Sequence, residues 1–123
     1  MKINAMMKLV VAFATCLLIT NTAFSAWPDK PIKIIVPYPP GGGVDAVART
    51  YAQRLSEILN TNVMVENKAG ASGAIGADFV AKSAPDGYTF LIASPAEVVV
   101  GPSAGQKVPY DPKNDLIPIS LIG

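Results

Sequence analysis

The chain has 123 residues, half of them hydrophobic, and its ten basic side chains are nearly balanced by nine acidic ones. Its lysines and arginines are scattered, so the sequence does not indicate a nucleic-acid-binding or membrane-surface patch. Histidine is absent and Cys16 is the single cysteine, which excludes Ser-His-Asp or Cys-His catalysis and the usual zinc sites within this chain. The chain is expected to need neither a metal nor a cofactor and not to be an enzyme.

The N-terminal residues have the three-part pattern of a secretory signal peptide. A short basic segment precedes an apolar run from Leu9 to Ile19, and small residues follow as far as Ala23-Phe24-Ser25. The run is too short to span a bilayer as a helix. We predict a signal peptide over residues 1–25, cleaved before Ala26 or directly after it, and export to the periplasm. Lipid attachment at Cys16 is disfavoured because apolar residues continue beyond it.

Strand-like and helix-like segments alternate along the rest of the chain. The first helix is predicted to end at Asn60, and a Pro/Gly turn at residues 84–87 precedes the last strand. The predicted order is a strand at Ile32–Val36, a helix at 44–59, a strand at 62–66, a short helix through Ile75, Phe79 and Val80, and a strand at 88–93. The predicted buried face of the first helix comprises Val44, Val47, Ala48, Tyr51, Leu55, Ile58 and Leu59.

This β-α-β-α-β order predicts a parallel sheet with right-handed crossovers. In such a sheet all strands point the same way, so the segments that follow them meet at one edge, where open α/β sheets place their ligands. We expect Tyr38–Asp45, Ala69–Gly73 and Ser94-Pro95 to converge there.

The segment from Pro37 to Asp45 is the strongest candidate for a binding loop. Its prolines cannot continue strand pairing, and three successive glycines leave the backbone N–H groups uncovered at the start of a helix. Such a helix terminus favours a small anion. A tight strand-to-helix turn without a ligand is the alternative interpretation.

Individual side chains have structural alternatives of the same kind. Asp45 could act through the first helical turn, through loop amides or through a water. Ser72 and Ser94 could donate to a carboxylate or satisfy their own turns, Tyr38 could cover an apolar part of a ligand, and Glu66 is expected to be solvated. The predicted ligand-binding residues are Tyr38, Pro39, Gly41, Gly42, Gly43, Asp45, Ala71, Ser72, Gly73, Ser94 and Pro95.

Four motifs, in this order and at this spacing, resemble the Bug, or tripartite tricarboxylate transporter receptor, family. The resemblance runs from Trp27 to Gly123. It is carried by Trp27-Pro-Asp-Lys-Pro-Ile32, Pro37-Tyr-Pro-Pro-Gly-Gly-Gly-Val-Asp45, Glu66-Asn-Lys-Ala-Gly-Ala-Ser-Gly-Ala-Ile-Gly76 and Ala84-Pro-Asp-Gly-Tyr-Thr-Phe-Leu91, with residues 111–123 similar to the family's next segment.

The resemblance implies a class II periplasmic-binding-protein-like fold with two lobes, of which residues 26–123 would be the N-terminal part of the first. It implies capture of a small carboxylate-bearing solute, such as a di- or tricarboxylate, an amino acid or an aromatic acid. The implied partners are the membrane permease subunits, with no nucleic acid, and the full-length receptor is expected to be monomeric. The ligand carboxylate would be held largely by backbone groups and bridging waters of the strand-end loops.

Two other interpretations remain open on the residues alone. Gly41-Gly42-Gly43-Val44-Asp45-Ala46 satisfies the G-x-G-x-x-A spacing of a nucleotide-dependent enzyme, with Glu66 near the position of a ribose-binding acid. Against this, four residues from Pro37 to Pro40 separate the strand from the glycines. The apolar, strand-like run at 115–123 suggests the front part of a longer protein, and a truncated product without a function of its own is the third interpretation.

Overall fold

The centre of the molecule is a parallel sheet in which β1 is hydrogen-bonded on both sides. In the computed structural model, which describes residues 26–122, the strand order is β2-β1-β3. Ile34 of β1 is in register with Val65 on one side and with Phe90 on the other. The three strands are β1 (Ile32–Val36), β2 (Val63–Asn67) and β3 (Thr89–Leu91). The predicted parallel β-α-β-α-β arrangement is confirmed, while the predicted signal peptide lies outside the described residues.

Two crossover helices and three short helical turns connect and follow these strands. The longer helix follows β1 and the shorter one follows β2, as the sequence predicts. The helices are α1 (Gly43–Leu59), α2 (Ala74–Ala81) and the single turn α3 (Gly101–Ser103); a 3₁₀ turn at Ala71–Gly73 precedes α2 and a π-helical turn at Ala96–Val100 precedes α3.

The larger core cluster lies between the sheet and α1, and a smaller one includes Ala77 of α2 and Tyr110. Ile34 and Val36 of β1 are buried in the larger cluster, and each buried side chain of this size contributes about 1.5–3 kcal/mol of transfer free energy. Pro37 ends the strand because it has no N–H to donate, and it is itself fully buried. The first loop therefore starts from a fixed point in the core.

The buried face of α1 differs from the predicted one. Ala48 and Ala52 are buried, whereas Val47, Tyr51 and Ile58 are exposed, Ile58 by 74%. Both groups belong to one broad apolar arc of the helix, and the sheet covers only half of that arc. Periodicity locates the arc but does not reveal which half the sheet covers, so these three positions were predicted wrongly.

The ends of the elements show smaller differences. Asn60 ends α1 in the left-handed conformation (φ 48°, ψ 42°), as predicted. β2 begins and ends one residue later than predicted, and β3 is shorter at both ends. Residues 116–122 form no strand, and Ile117 and Leu121 are exposed by 83% and 97%. This run, which is strand-like in sequence, forms no strand because no neighbouring strand lies beside it among the described residues.

Within residues 26–122, no helix combines the length and the apolar character that a membrane span requires.

Candidate functional site

Three loops leave the carboxyl edge of the sheet and meet there. We define the first loop as residues 37–42, the second loop as residues 68–73 and the third loop as residues 92–95. The Tyr38 hydroxyl lies 2.7 Å from Ser94 Oγ, which joins the first loop to the third. Asn67 at the end of β2 donates to Asp45 Oδ1 over 2.8 Å. The predicted convergence of the three segments is confirmed.

The first loop opens onto solvent and onto the N-terminus of α1. An open cleft of about 510 Å³ is lined by residues 38–44. No side chain caps the helix, whose N-cap residue is Gly42. The first N–H groups of an α-helix have no intrahelical acceptor, and here they lie among exposed glycines. The cleft therefore offers main-chain donors and the positive end of a 17-residue helix.

Asp45 fastens this loop from beneath. The side chain is buried, being only 3% exposed. Its Oδ2 accepts from the Gly41 N–H and from Arg49 Nε, both at 2.9 Å. Because Oδ1 takes the Asn67 amide, one carboxylate links the first loop, α1 and the end of β2. Asp45 thus positions loop amides, one of the roles that the sequence left open.

These donors also fix the charge of Asp45. The hydrogen bond from Arg49, with those from the Gly41 N–H and the Asn67 amide, lowers the pKa of the carboxyl far below its ordinary value. Asp45 is therefore ionised throughout the neutral range, and its charge is matched by Arg49. It repels an incoming anion less than an unpaired carboxylate would, because its own charge is already compensated.

The second loop is held in an uncommon backbone conformation. Ala71 and Ser72 have φ of 48° and 53°, and Gly73 has φ of 91°. The left-handed region costs a residue with a Cβ roughly 1–2 kcal/mol, and such residues persist where their surroundings fix them, often at ligand-binding sites. Ala71 and Ser72 are both exposed, so the strained segment faces solvent at the same edge as the cleft.

Gly73 has a different role from its exposed neighbours. It is buried, and a Cβ placed there would lie 3.1–3.2 Å from the side chain of Glu97. The predicted site grouped Gly73 with the exposed glycines 41–43. In the structure its lack of a side chain lets the second loop approach Glu97, so close packing is its first function.

Glu97 is the residue at this edge that the sequence interpretation missed. It is 2% exposed, and its carboxylate accepts from the Ser94 N–H at 2.8 Å, from Ser94 Oγ at 2.9 Å and from the Tyr38 hydroxyl at 2.7 Å. Its backbone carbonyl accepts from the Tyr110 hydroxyl at 2.7 Å. The signal was present in the sequence, since Ser94-Pro-Ala-Glu97 fits the S-x-x-E capping box.

The hydroxyls of Tyr38 and Ser94 are consequently engaged inside the protein. Tyr38 is half-buried, and burial raises the pKa of its hydroxyl, as does the hydrogen bond to Glu97. Ser94 Oγ also accepts from the Ala96 N–H at 3.2 Å. Both residues lie at the site, but their polar atoms first serve the Glu97 cluster.

The predicted site residues thus fall into three groups by accessibility. Tyr38 and Ser94 are half-buried, and Asp45 and Gly73 are buried. The exposed group comprises Pro39, Gly41, Gly42, Gly43, Ala71, Ser72 and Pro95.

The nucleotide-binding interpretation finds no support in the geometry of this edge. Six residues separate β1 from α1, where a dinucleotide fingerprint needs a direct turn. Glu66 is held by Lys68 at 2.7 Å and lies 3.7 Å from Lys33. Lys68 with Lys33 lowers the pKa of Glu66, so this acid is in an ion pair rather than free for a ribose. In the described part of the chain, no three Asp, Glu, His or Cys side chains form a metal-binding group.

Comparison with known proteins places the chain in one family. A sequence model described as "Tripartite tricarboxylate transporter family receptor" matches residues 47–123. Protein BugT of Bordetella pertussis is 43% identical over 114 residues, which cover 92% of this chain and 35% of BugT. The chain therefore spans about a third of the length of the curated relatives it matches.

Solved structures agree with the sequence comparison. One described as a periplasmic transporter superposes with a TM-score of 0.67 at 48% identity, covering 71% of this chain and 29% of that one. The MatC protein of Rhodopseudomonas palustris, solved with bound malate, gives a TM-score of 0.68 at 30% identity and covers 72% of this chain and 30% of MatC. The sheet and its two crossover helices are thus similar to part of one lobe of these proteins.

Proposed function

The chain belongs to the tripartite tricarboxylate transporter receptor family, and on that premise we propose that it is a periplasmic receptor for a small carboxylate-bearing solute. Residues 1–25 would direct export, and residues 26–123 would form the N-terminal part of the first of two lobes. The receptor would deliver its solute to the membrane permease subunits of a tripartite transporter. The family is one of receptors, not of enzymes.

The observation that carries this proposal is the glycine terminus of α1 at the carboxyl edge of the sheet. Its N–H groups are uncapped by side chains, lie in an open cleft and face the same edge as the strained second loop. A hydrogen bond from such a group to a carboxylate contributes about 1.5–3 kcal/mol, and the helix dipole adds roughly 0.3–1 kcal/mol. A carboxylate held by two such bonds would gain about 3–7 kcal/mol in all, which corresponds to a dissociation constant of roughly 10 mM to 10 μM without any cationic side chain in the cleft.

The chemistry of the site and the relatives favour the same solute class. Arg49 is paired with Asp45 beneath the first loop, and the residues that line the cleft include no lysine or arginine, so binding would depend on main-chain dipoles rather than on a basic pocket. Malate, the ligand in the MatC structure, is a small dicarboxylate. Backbone donors recognise the carboxylate group in general, which fits di- and tricarboxylates, amino acids and aromatic acids alike.

A thermal-shift screen of the chain against these acids tests the proposal, with a dinucleotide as the control ligand. A solute that binds only the native state raises the melting temperature. The same solute is then titrated calorimetrically into Gly42→Val, in which the new side chain covers the uncapped N–H groups. A Cβ at Gly42 meets only the Pro39 carbonyl oxygen, at 3.6 Å, so the fold should tolerate it. We expect a loss of roughly tenfold or more in affinity.

Gln53→Val is the matched control, because it adds the same side chain to an exposed position on α1 away from the cleft. Circular dichroism of both variants should match the wild type. Stabilisation by the dinucleotide and by none of the acids would contradict the receptor function. Unchanged binding to Gly42→Val would place the carboxylate elsewhere.

A further inference from the structure

The strongest unexplained feature of this edge is a triangle of oxygen atoms around Glu97. Tyr38 Oη lies 2.7 Å from Glu97 Oε2 and 2.7 Å from Ser94 Oγ, and Ser94 Oγ lies 2.9 Å from Glu97 Oε2. All three sides of the triangle are hydrogen-bond distances. A buried carboxylate beside a proposed anion site would repel the carboxylate of the ligand. Its presence there therefore calls for an explanation.

Counting protons gives that explanation. The triangle contains two hydroxyl protons and a carboxylate that can only accept. The 2.7 Å contact between the two hydroxyl oxygens needs a proton between them. If Tyr38 donates to Glu97, Ser94 therefore donates to Tyr38; if Tyr38 donates to Ser94, Ser94 donates to Glu97. In every arrangement both protons stay inside the triangle. Neither hydroxyl keeps a proton for a ligand. Ser94 Oγ already accepts from the Ala96 N–H, so the lone pair left for a ligand is that of Tyr38 Oη, whose residue lines the cleft.

The surroundings keep this arrangement fixed. The Ser94 N–H donates to the other carboxylate oxygen at 2.8 Å, and the Tyr110 hydroxyl holds the backbone carbonyl of Glu97 at 2.7 Å. Gly73 packs on the same side chain. Because the backbone of residue 97 is anchored independently of its side chain, the carboxylate can be replaced without releasing the segment.

We propose that Glu97 is a positioning residue that, together with Ser94, turns the Tyr38 hydroxyl into a hydrogen-bond acceptor, so that this side of the site selects a carboxylate solute carrying a hydroxyl or ammonium donor. The carboxylate itself would be excluded from this oxygen and bound by the first loop. This inference rests on the proposed receptor function and adds a specificity rule to it.

The first test measures the cluster without any ligand. Tyrosine labelled with ¹³C at Cζ reports the ionisation of each ring by NMR, and the Tyr38 resonance is assigned with Tyr38→Phe. In Glu97→Gln the acceptor charge is gone, so Tyr38 should ionise at lower pH than in the wild type. Glu66→Gln, which removes a charge at the same sheet edge without touching Tyr38, should leave the Tyr38 titration unchanged.

The second test compares malate with succinate, which differ by one hydroxyl group. In calorimetric titrations we expect the wild type to prefer malate by about tenfold. Glu97→Gln should bring the two affinities close to equal, because the glutamine amide can donate and thereby frees a hydroxyl proton. Tyr38→Phe should reduce malate binding and leave succinate binding nearly unchanged. Glu66→Gln should keep the wild-type preference.

Each contrary result has a definite meaning. If Tyr38→Phe weakens succinate as much as malate, the hydroxyls donate to the carboxylate and the inference is wrong, while the receptor function stands. A wild type that binds both acids equally also overturns the specificity rule. If neither acid binds, nor any other carboxylate, the receptor function fails by its own test. A Tyr38 titration unmoved in Glu97→Gln overturns the positioning role in either case.

Discussion

The two glycine-rich loops look alike in the sequence and differ in physical character. The first loop ends in Gly41-Gly42 and is followed by Gly43, the first residue of α1. A Cβ at Gly41 or Gly43 would meet nothing within 4 Å. The second loop contains Gly70 and Gly73, where a Cβ would lie 2.5 Å from Ile75 and 3.1 Å from Glu97 respectively. The fold requires glycine at these positions of the second loop. The glycines at 41 and 43, in contrast, have open space where a side chain would lie.

This difference shows how a glycine's purpose can be inferred. A glycine with positive φ and a crowded Cβ position is required by packing and by the backbone. A glycine with negative φ and open space is not required by the fold, so a ligand that must approach the backbone is the remaining reason for it. Gly42, with φ of −79°, is of the second kind.

The two loops also rest on buried carboxylates of different kinds. Asp45 beneath the first loop is ion-paired with Arg49. Glu97 beneath the second loop accepts from the uncharged Tyr38 hydroxyl and from the hydroxyl and N–H groups of Ser94. The first carboxylate fixes backbone amides, and the second fixes hydroxyl protons.

The largest expected effect comes from Gly73→Ala compared with Gly41→Ala. Both glycines have positive φ, 91° and 87°, so alanine pays a similar backbone cost of about 1–2 kcal/mol at either position. Only Gly73 faces a side chain, and the added overpacking should cost roughly 1–3 kcal/mol more. Urea denaturation of the two variants measures the difference in free energy of unfolding.

Gly41→Ala serves as the control for backbone strain, since its Cβ points into open space. Equal losses of stability in the two variants would mean that the contact with Glu97 imposes no cost, and the contrast between the loops would then be reduced to backbone conformation alone.

The next effect concerns acid stability and isolates Asp45. Its pKa is lowered in the folded state by Arg49 first, with Gly41 and Asn67 adding to the effect. The unfolded chain therefore takes up a proton first as the pH falls, so folding is favoured above the ordinary pKa of about 4 and loses this contribution below it. Below about pH 5, the melting temperature of the wild type should therefore fall more steeply with pH than that of Asp45→Asn.

At neutral pH the wild type should be the more stable of the two proteins. Asp45→Asn removes the partner of Arg49, so its melting temperature should lie below that of the wild type, by about 5 °C. The two melting curves should approach each other as the pH falls. Parallel acid profiles would show that Asp45 does not anchor the first loop through its charge.

Much of this edge follows from the sequence because its determinants are local. The end of β1 at Pro37, the end of α1 at Asn60 and the alternation of strands and helices specify the sheet and hence the meeting of the three loops. That topology also explains why Tyr38 and Ser94 lie close together.

What the sequence did not yield depends on partners distant along the chain. Val47, Tyr51 and Ile58 belong to an apolar arc that is broader than the sheet facing it, so their exposure is set by tertiary packing. Glu97 gains its role from Tyr38, 59 residues earlier. Likewise the crowding at Gly73 exists only because the π-helical turn that carries Glu97 folds against the second loop.

The smallest effect on stability is expected from Gly43→Ala. This variant also tests most directly whether a glycine at this site is kept for a ligand or for the fold. Gly43 is the first residue of α1, is exposed and has open space around it. Alanine should therefore stabilise the fold slightly, by up to about 1 kcal/mol, because it restricts the unfolded chain. Carboxylate affinity, measured by calorimetry, should nevertheless fall several-fold, since the methyl group stands where the solute approaches the N–H groups. A gain in stability together with a loss of binding separates a glycine kept for a ligand from one kept for the fold. If Gly43→Ala bound the acid as tightly as the wild type, the open space beside the first loop would not be the carboxylate site.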